Sequence, residues 1–204
     1  LRRKGMECFL NKQKCIRVSY WAGHVAGFLH KNSIFAVKAK FYIYKLSMTL
    51  EKILSNLKIE HLNAMQQAAI DVYKEGSDVI LLSPTGSGKT LAYLIPLVQN
   101  LKADVRGVQA IVLVPSRELA LQTEQVFKSM NTPFKAVSVY GGRPAMEEHR
   151  TLKGVEPAVV IGTPGRMNDH LGKQNIDAST VRILVIDEFD KSLEFGFQEE
   201  MADV

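Results

Sequence analysis

The chain has 204 residues and a hydrophobic content of 46%, which fits one globular domain of ordinary size with a buried core. No apolar run approaches the roughly 18 residues that a membrane span requires, so the sequence predicts no membrane contact. The net charge of +5 is uneven, because residues 1–47 carry ten Lys or Arg and one Asp or Glu, against 16 and 20 in the remainder. Overall charge is therefore weak evidence for nucleic-acid binding.

Both cysteines, Cys8 and Cys15, lie in this basic leader, and none follows it. Such usage supports neither a disulfide framework nor a thiolate metal site. We therefore expect a reducing, cytoplasmic setting.

The leader, residues 1–47, has no sustained helical or strand period. Its apolar stretch Val18–Leu29 follows basic residues, which leaves a signal peptide as one interpretation and a basic arm that contacts nucleic acid as another. We favour a third, a disordered upstream extension with no role in the fold, because a helical pattern begins immediately after Met48.

From residue 48 onward the apolar pattern is regular. Leucine and isoleucine recur at helical spacing over residues 50–57, with Thr49 placed to cap the helix, and a second helix is predicted from about Asn63 to Tyr73. Five short apolar runs then alternate with helical segments. This alternation predicts an α/β fold with a parallel sheet covered by helices on both faces, in which ligands bind beyond the carboxyl ends of the strands. The predicted strands are Val79–Leu82, Ile111–Val114, Ala136–Val139, Val159–Ile161 and Ile183–Ile186.

The loop after the first predicted strand carries the strongest functional signal. Its glycines let the backbone approach a ligand closely, and a helical pattern begins at Leu91. Strand, glycine-rich loop, Lys-Thr and helix, in this order, are the context of a phosphate-binding loop, in which Lys89 would reach the β- and γ-phosphates and Thr90 would hold Mg²⁺. Backbone N–H groups would cradle the phosphates. The predicted nucleotide-contacting residues are Thr85, Gly86, Ser87, Gly88, Lys89 and Thr90.

One position departs from the strict pattern of this loop, because Ser83 stands where the first glycine belongs. The alternative is a chance glycine turn between a strand and a helix. The strand–loop–helix context that the motif requires argues against that alternative.

A pair of carboxylates follows the last predicted strand. Asp187, at the end of a strand in the same sheet as the phosphate loop, suits Mg²⁺ coordination, and the neighbouring Glu188 can polarise an attacking water. The alternative is an acidic turn that caps the next helix. The combination with the phosphate loop favours the catalytic interpretation, with Lys89, Asp187 and Glu188 as the catalytic residues.

Six segments in order resemble the signature motifs of the N-terminal lobe of the DEAD-box ATP-dependent RNA helicases, over about residues 60–200. The phosphate loop is one, and Asp-Glu-Phe-Asp at 187–190 is another, with Phe189 in place of the family's alanine. Any single motif would be weak, but six in family order are specific. The other four are Asn63–Ile70 (similar to the Q motif), Pro115–Ala120 (similar to motif Ia), the pair Gly141-Gly142, and Thr163–Arg166.

This resemblance implies a RecA-like fold of the P-loop NTPase class that binds ATP and Mg²⁺. It also implies that Gln66 hydrogen-bonds the adenine edge, whereas without the family context Gln66 would be an ordinary exposed helical residue. The Q-like segment departs from the family pattern at Lys58-Ile59 and at Leu62, where the family has Gly-Phe and Pro. The aromatic residue that stacks on adenine would fall near Phe41, within the leader.

The resemblance further implies contacts to an RNA backbone that are independent of base sequence. Amides, a hydroxyl and arginines at loops or helix starts would hold phosphates and sugars. The alternatives are solvated or salt-bridged arginines at 117 and 166 and a plain turn at the glycine pair. The implied RNA-contacting residues are Pro115, Arg117, Gly142, Thr163, Gly165 and Arg166.

The implied function is that of an ATP-dependent RNA helicase whose N-terminal lobe, residues 48–204, binds ATP with Mg²⁺ and RNA and uses ATP hydrolysis to unwind duplexes. The family's Ser-Ala-Thr motif and second RecA-like lobe are not in this sequence, so we expect an incomplete motor with RNA and that second lobe as partners. A nucleotide-dependent RNA clamp without unwinding is the alternative. A DNA-directed relative is less favoured by the Q-like segment and by Thr163–Arg166.

Overall fold

The computed structural model describes residues 49–74 and 78–204. Two helices come first, then a helix after the glycine-rich loop, and then four strands that alternate with helices. The leader, Phe41 and the predicted end of the second helix near Gly76 lie outside the described residues. The elements are α1 (Leu50–Leu57), α2 (Ala64–Lys74), α3 (Lys89–Asn100), β1 (Ala110–Leu113), α4 (Arg117–Ser129), β2 (Ala136–Val139), α5 (Ala145–Val155), β3 (Val159–Gly162), α6 (Pro164–Gly172), β4 (Ile183–Ile186), α7 (Phe189–Glu194) and α8 (Gln198–Asp203).

The first helix forms where the sequence predicts it. Its N-terminus is capped by the Thr49 hydroxyl, which accepts a hydrogen bond from the backbone N–H of Lys52 at 3.4 Å. Ile53 is fully buried, and Leu50, Leu54 and Leu57 pack against the core. One apolar face thus docks α1 on the domain, as helical spacing requires.

The four strands form one parallel sheet in the order β2-β3-β1-β4. In β1, Ala110 lies opposite Val159 of β3 on one side and Ile183 of β4 on the other. β2 and β4 lie at the two edges. All residues of β1, β2 and β3 are buried, whereas β4 is partly exposed. The carboxyl ends of all four strands therefore meet at one edge of the sheet, where the predicted motifs follow them.

Helices cover both faces of the sheet, as predicted. Along β1, Ala110 and Val112 pack into a core with α1, α3 and α4, while Ile111 and Leu113 pack into a second core with α5 and α6. Successive strand side chains point to opposite faces, and each face here is apolar. The α/β class with a doubly covered parallel sheet is thus confirmed.

The predicted strand Val79–Leu82 is wrong, since residues 78–84 form no strand. Ile80 is 82% exposed and Leu82 is 90% exposed. An extended apolar run becomes a strand only when another strand satisfies its backbone N–H and C=O groups. No described strand pairs with this segment, so its local strand propensity alone does not make it a strand. The other four predicted strands are confirmed, with ends within one residue.

Candidate nucleotide and nucleic-acid site

The phosphate-binding loop leads directly into α3, which begins at Lys89. The Lys89 ammonium folds across the loop and donates to the backbone oxygens of Ser83 at 2.7 Å and Pro84 at 3.2 Å. The hydroxyls of Ser83 and Ser87 are 2.6 Å apart. Ser83, which stands where the motif has its first glycine, thus closes the loop through its hydroxyl. Thr85 and Gly86 lie at the exposed tip of the turn.

Gly88 cannot be replaced without disturbing this loop, for two reasons. Its φ of +88° lies in the left-handed region that favours glycine. A Cβ built on it would also lie 2.5 Å from Nε2 of Gln66. The loop therefore depends on glycine at 88 for both its backbone conformation and the close approach of α2.

Gln66 binds the phosphate loop directly instead of facing solvent. Its side chain is buried, Nε2 donates to the Gly88 oxygen at 3.1 Å, and Oε1 accepts from the Asn63 N–H at 3.0 Å. The Asn63 side chain donates in turn to the Ser87 oxygen at 2.9 Å. The interpretation of Gln66 as an exposed helical residue is therefore wrong, and the Q-like segment and the loop form one hydrogen-bonded unit.

Tyr93 of α3 holds one of the two predicted Mg²⁺ ligands. The Tyr93 hydroxyl donates to Oδ2 of Asp187 at 3.0 Å, and Thr90 lies one turn earlier on the same helix. Burial raises the pKa of Asp187, while the hydrogen bond from Tyr93 opposes that rise. Burial and the Asp187 charge together raise the pKa of Tyr93 above its usual range, so the phenol remains a donor. Tyr93 has no motif signal in the sequence, and only its hydroxyl on an apolar helix face marks it.

Glu188 adopts a left-handed backbone with a φ of +48° at the start of α7. Its side chain makes no capping hydrogen bond and instead pairs with the Lys191 ammonium at 2.9 Å, a contact that raises the pKa of Lys191. The interpretation of these carboxylates as a cap for the next helix is therefore wrong. Phe189, at the alanine position of the family motif, is half exposed.

A second site lies along the same edge of the sheet, where β1, β2 and β3 end. Each predicted motif there contributes to one groove, although the glycine pair does so through Gly141 and not through Gly142, which lies exposed beside it with a φ of +91°. The structure also adds Asp169 and Phe197, which the sequence did not single out. The groove is lined by Pro115, Ser116, Arg117, Gly141, Thr163, Gly165, Arg166, Asp169 and Phe197.

Arg166 is held by carboxylates beneath this groove. Its Nε lies 2.7 Å from Oε2 of the buried Glu148, an ion pair in which the N–H is not aligned for a hydrogen bond. Its NH1 lies 3.6 Å from Oδ2 of Asp169. The salt-bridged alternative is thus correct for Arg166 in this state, while Arg117 has no such pair among the described residues.

Glu148 is a functional neighbour that sequence reasoning missed. Besides Arg166, it accepts the Tyr140 N–H at 3.0 Å, and its Oε2 lies 2.9 Å from Nε2 of the fully buried His170. Asn175 contacts the other ring nitrogen of that histidine at 3.1 Å. One buried carboxylate therefore joins the glycine-pair loop to α6. A buried charged residue is expected only when it is paired in this way.

The sequence profile of the DEAD/DEAH box helicase family matches residues 63–204, and this chain belongs to that family. It is 34% identical over 166 residues to the DEAD-box ATP-dependent RNA helicase CshA of Bacillus subtilis, covering 80% of this chain and 33% of that protein. It is 40% identical over 144 residues to the ATP-dependent RNA helicase DeaD of Buchnera aphidicola subsp. Baizongia pistaciae, covering 69% of this chain and 24% of that protein.

Solved structures agree with this assignment. A DEAD box protein from the hyperthermophile Methanococcus jannaschii superposes with a TM-score of 0.69 at 29% identity, covering 74% of this chain and 42% of that one. A hypothetical ATP-dependent RNA helicase from Sulfolobus tokodaii superposes with a TM-score of 0.66 at 30% identity, covering 75% and 45%. The fold is the RecA-like α/β lobe of this family. The chain spans about a third of the length of the curated relatives that it matches.

The part of the chain that the structure describes contains no helix with the length and apolar character needed to cross a bilayer. It also contains no cluster of three or more His, Cys, Asp or Glu side chains that could hold a metal ion by themselves.

Proposed function

We propose that this chain is the N-terminal, RecA-like lobe of an ATP-dependent RNA helicase. It would bind ATP with Mg²⁺ and an RNA backbone, and in the complete protein it would hydrolyse ATP to drive duplex unwinding. The observation that carries the proposal is the hydrogen bond from Tyr93 to Asp187, which joins the end of β4 to α3, the helix that begins with Lys89 and Thr90 after the phosphate loop. Residues far apart in sequence converge there into the donor set that a nucleotide and Mg²⁺ require.

In the nucleotide-binding step, Lys89 would exchange its two backbone oxygen partners for phosphate oxygens. Both present partners are neutral carbonyls, and a charge-assisted contact is stronger than a contact to a neutral oxygen. The N-terminal amides of α3 and of the loop would bind the same anion. The phosphates would therefore be held by a lysine and by backbone dipoles at once.

The donor chemistry near α3 fits Mg²⁺, because a hydroxyl and a carboxylate oxygen are hard ligands. Thr90 and Asp187 would hold the ion, which when bound supplies neutralisation of phosphate charge. Tyr93 would keep one Asp187 oxygen in place through its hydrogen bond, and the Glu188 N–H holds the other at 2.9 Å. Both oxygens are thus oriented before any ligand arrives.

In the hydrolysis step, Glu188 would orient the attacking water. It follows the proposed metal ligand directly, and its carboxylate pairs with the half-exposed Lys191. A water at the γ-phosphate would take the place of that lysine. The presence of both Lys89 and Glu188 favours an ATPase over a clamp that binds nucleotide without turnover.

Adenine recognition would come from Gln66. Its carboxamide already makes one contact through each polar atom, and a carboxamide has two donor hydrogens and two acceptor lone pairs. One donor and one acceptor therefore remain for the adenine edge. Because Gln66 also binds the Gly88 oxygen, base recognition would be coupled to the phosphate loop.

The groove at the ends of β1, β2 and β3 would hold the RNA backbone. The proposed contacts are those predicted from the sequence, namely Pro115, Arg117, Gly142, Thr163, Gly165 and Arg166. Backbone amides, a hydroxyl and guanidinium groups suit phosphates and sugars more than base edges. We further propose a second RecA-like lobe as the partner that completes the ATP site, and a cytoplasmic location, which the absence of cysteine after the leader supports.

The test of the proposed function is nucleotide binding by the purified chain, followed with a fluorescent ATP analogue in Mg²⁺ buffer. Lys89→Ala should weaken binding at least tenfold, since the charge-assisted contacts to the phosphates are lost. Lys52→Ala, which removes an exposed lysine of α1, is the matched control and should bind normally. Equal binding by the chain and by its Lys89→Ala variant would contradict the proposed site.

Hydrolysis needs the protein that carries both lobes. There, Glu188→Gln should leave ATP binding intact and lower turnover by orders of magnitude. The present chain alone should hydrolyse ATP near background, because a finger arginine from another element is worth about 10³ to 10⁵ in rate. Robust RNA-stimulated turnover by these 204 residues would contradict the need for a second lobe.

A further inference from the structure

Two arginines, Arg117 of the segment that follows β1 and Arg143 just after the glycine pair, lie against one aromatic ring beside the groove. The guanidinium carbon of Arg117 is 5.1 Å from the ring centroid of Tyr140, and that of Arg143 is 4.8 Å from the same centroid. Tyr140 directly follows β2 and is fully buried, so its ring is a fixed platform. Both distances are within the range of a cation–π contact.

These two arginines differ from Arg166 in how their charge is balanced. Arg166 has carboxylate partners in Glu148 and Asp169. Within the described ranges, neither Arg117 nor Arg143 has a carboxylate oxygen within 4.0 Å, and both are exposed. Two like charges held near one ring repel each other, and a bound anion would remove that repulsion. The ring therefore keeps two unneutralised cations ready for an anionic ligand.

The backbone around Arg143 is fixed from both sides. The Tyr140 N–H donates to Oε1 of Glu148 at 3.0 Å, and the Arg143 oxygen accepts a hydrogen bond from NH2 of Arg166. The loop that carries Arg143 is thus tied to α5 and to α6. Less side-chain and loop freedom remains to be lost when a ligand binds, which favours affinity.

We propose that Arg143 is a further RNA-backbone contact of this lobe, placed by the Tyr140 ring next to Arg117 and outside the set of contacts that the sequence motifs supply. This inference rests on the proposed function, because it extends the same groove. A planar guanidinium can donate two parallel N–H groups to two oxygens of one phosphate. The groove would thereby hold one more phosphate of a single strand, on the side of the glycine pair.

The experiment measures the affinity of the purified chain for a fluorescent single-stranded RNA 12-mer, as a function of salt from 50 to 200 mM. Arg143→Ala should weaken binding severalfold and lower the slope of log K against log [salt] by about 0.7, the value for one phosphate contact on a single strand. Arg143→Lys should keep most of the salt slope, because it retains the positive charge. It should lose part of the affinity, because lysine cannot donate two parallel N–H groups as a guanidinium does.

Two further variants make the outcome specific. Arg150→Ala removes an exposed arginine of α5 and should leave both affinity and slope unchanged. Arg117→Ala removes a contact of the proposed function and should lower the slope by a similar step. If Arg117→Ala lowers the slope and Arg143→Ala does not, the inference is overturned while the proposed function stands. If the unmodified chain does not bind the RNA at 50 mM salt, both are overturned.

Discussion

Two apolar segments of similar composition adopt different structures in this molecule: one is a buried strand and the other forms no strand. In β3, Val159 to Ile161 are fully buried between β1 and β2. Residues 79–82, Val-Ile-Leu-Leu, form no strand and expose Ile80 and Leu82 almost completely. The intrinsic strand preference of the two segments is alike, so the difference lies in their neighbours.

Sheet formation in this lobe depends on pairing with another strand. β3 has a hydrogen-bonded strand on each side and a helical layer on each face. β4 is intermediate, because it has a single strand partner, β1, and leaves Leu184 50% exposed, whereas β2, with β3 as its single partner, is buried. The segment 79–82 has no paired strand in the described ranges. The free energy of unfolding should therefore respond to substitution in the order β3, β4, then 79–82.

The largest effect is expected at Gly162, the last residue of β3. A Cβ there would lie 2.5 Å from the backbone oxygen of Val139 and 2.6 Å from a methyl carbon of that residue. Gly162→Val should destabilise the chain by at least about 4 kcal/mol, because the adjoining strand would have to move. Urea denaturation followed by circular dichroism measures this, and a loss below 1 kcal/mol would mean that β2 and β3 separate easily.

Ile161→Ala should have the next largest effect. Ile161 is fully buried in the core between the sheet and its helices, and truncating such a residue costs about 2–5 kcal/mol through lost burial and the remaining cavity. The same urea titration gives the value. A cost near zero would show that β3 is no better packed than residues 79–82.

Leu184→Ala should lower the free energy of unfolding by less than Ile161→Ala and by more than Ile80→Ala. The side chain is half exposed on an edge strand, so we expect a loss of about 1 kcal/mol, in proportion to the apolar area that it buries. Differential scanning calorimetry of the variant and the parent measures the change in Tm. A loss as large as that of Ile161→Ala would indicate that the outer edge of β4 is covered in solution.

The smallest effect is expected from Ile80→Ala, the matched control for Ile161→Ala. Ile80 is 82% exposed, and surface substitutions away from special features stay within about 0.5 kcal/mol. Urea denaturation of the two alanine variants, side by side, gives the contrast directly. A cost above 2 kcal/mol at Ile80 would mean that residues 79–82 pair with a strand after all.

Much of the fold could be predicted from the sequence because most elements carry a local signal. Thr49 and the apolar spacing of α1 gave its start and its buried face, and four strands stood out as apolar runs between helices. Whether residues 79–82 form a strand could not be decided from such a local signal. Their run is as apolar as β3, and only the partner strands, which local sequence does not contain, distinguish the two.

The residues of the candidate site also differ in whether a local sequence signal marks them. Lys89, Thr90 and Asp187 could be proposed from the sequence because each belongs to a motif with fixed local geometry. Tyr93 was missed because its contact with Asp187 spans 94 residues. Arg143 lies next to the glycine pair and carries no pattern of its own, and only the ring of Tyr140 brings it close to Arg117. The part of the candidate site that the sequence could not predict thus consists of contacts between segments far apart in the chain.

The closeness of Gln66 to Gly88 has a consequence for protein engineering. A designer who wishes to make this lobe accept another nucleobase, or a bulky ATP analogue, would first alter Gln66. Nε2 of Gln66 holds the Gly88 oxygen at 3.1 Å and occupies the space that any side chain at 88 would need. Under the proposed role of Gln66 in base recognition, base selectivity and phosphate affinity would therefore be coupled, and libraries at position 66 should vary Asn63 at the same time, because Asn63 binds both Gln66 and the Ser87 backbone oxygen.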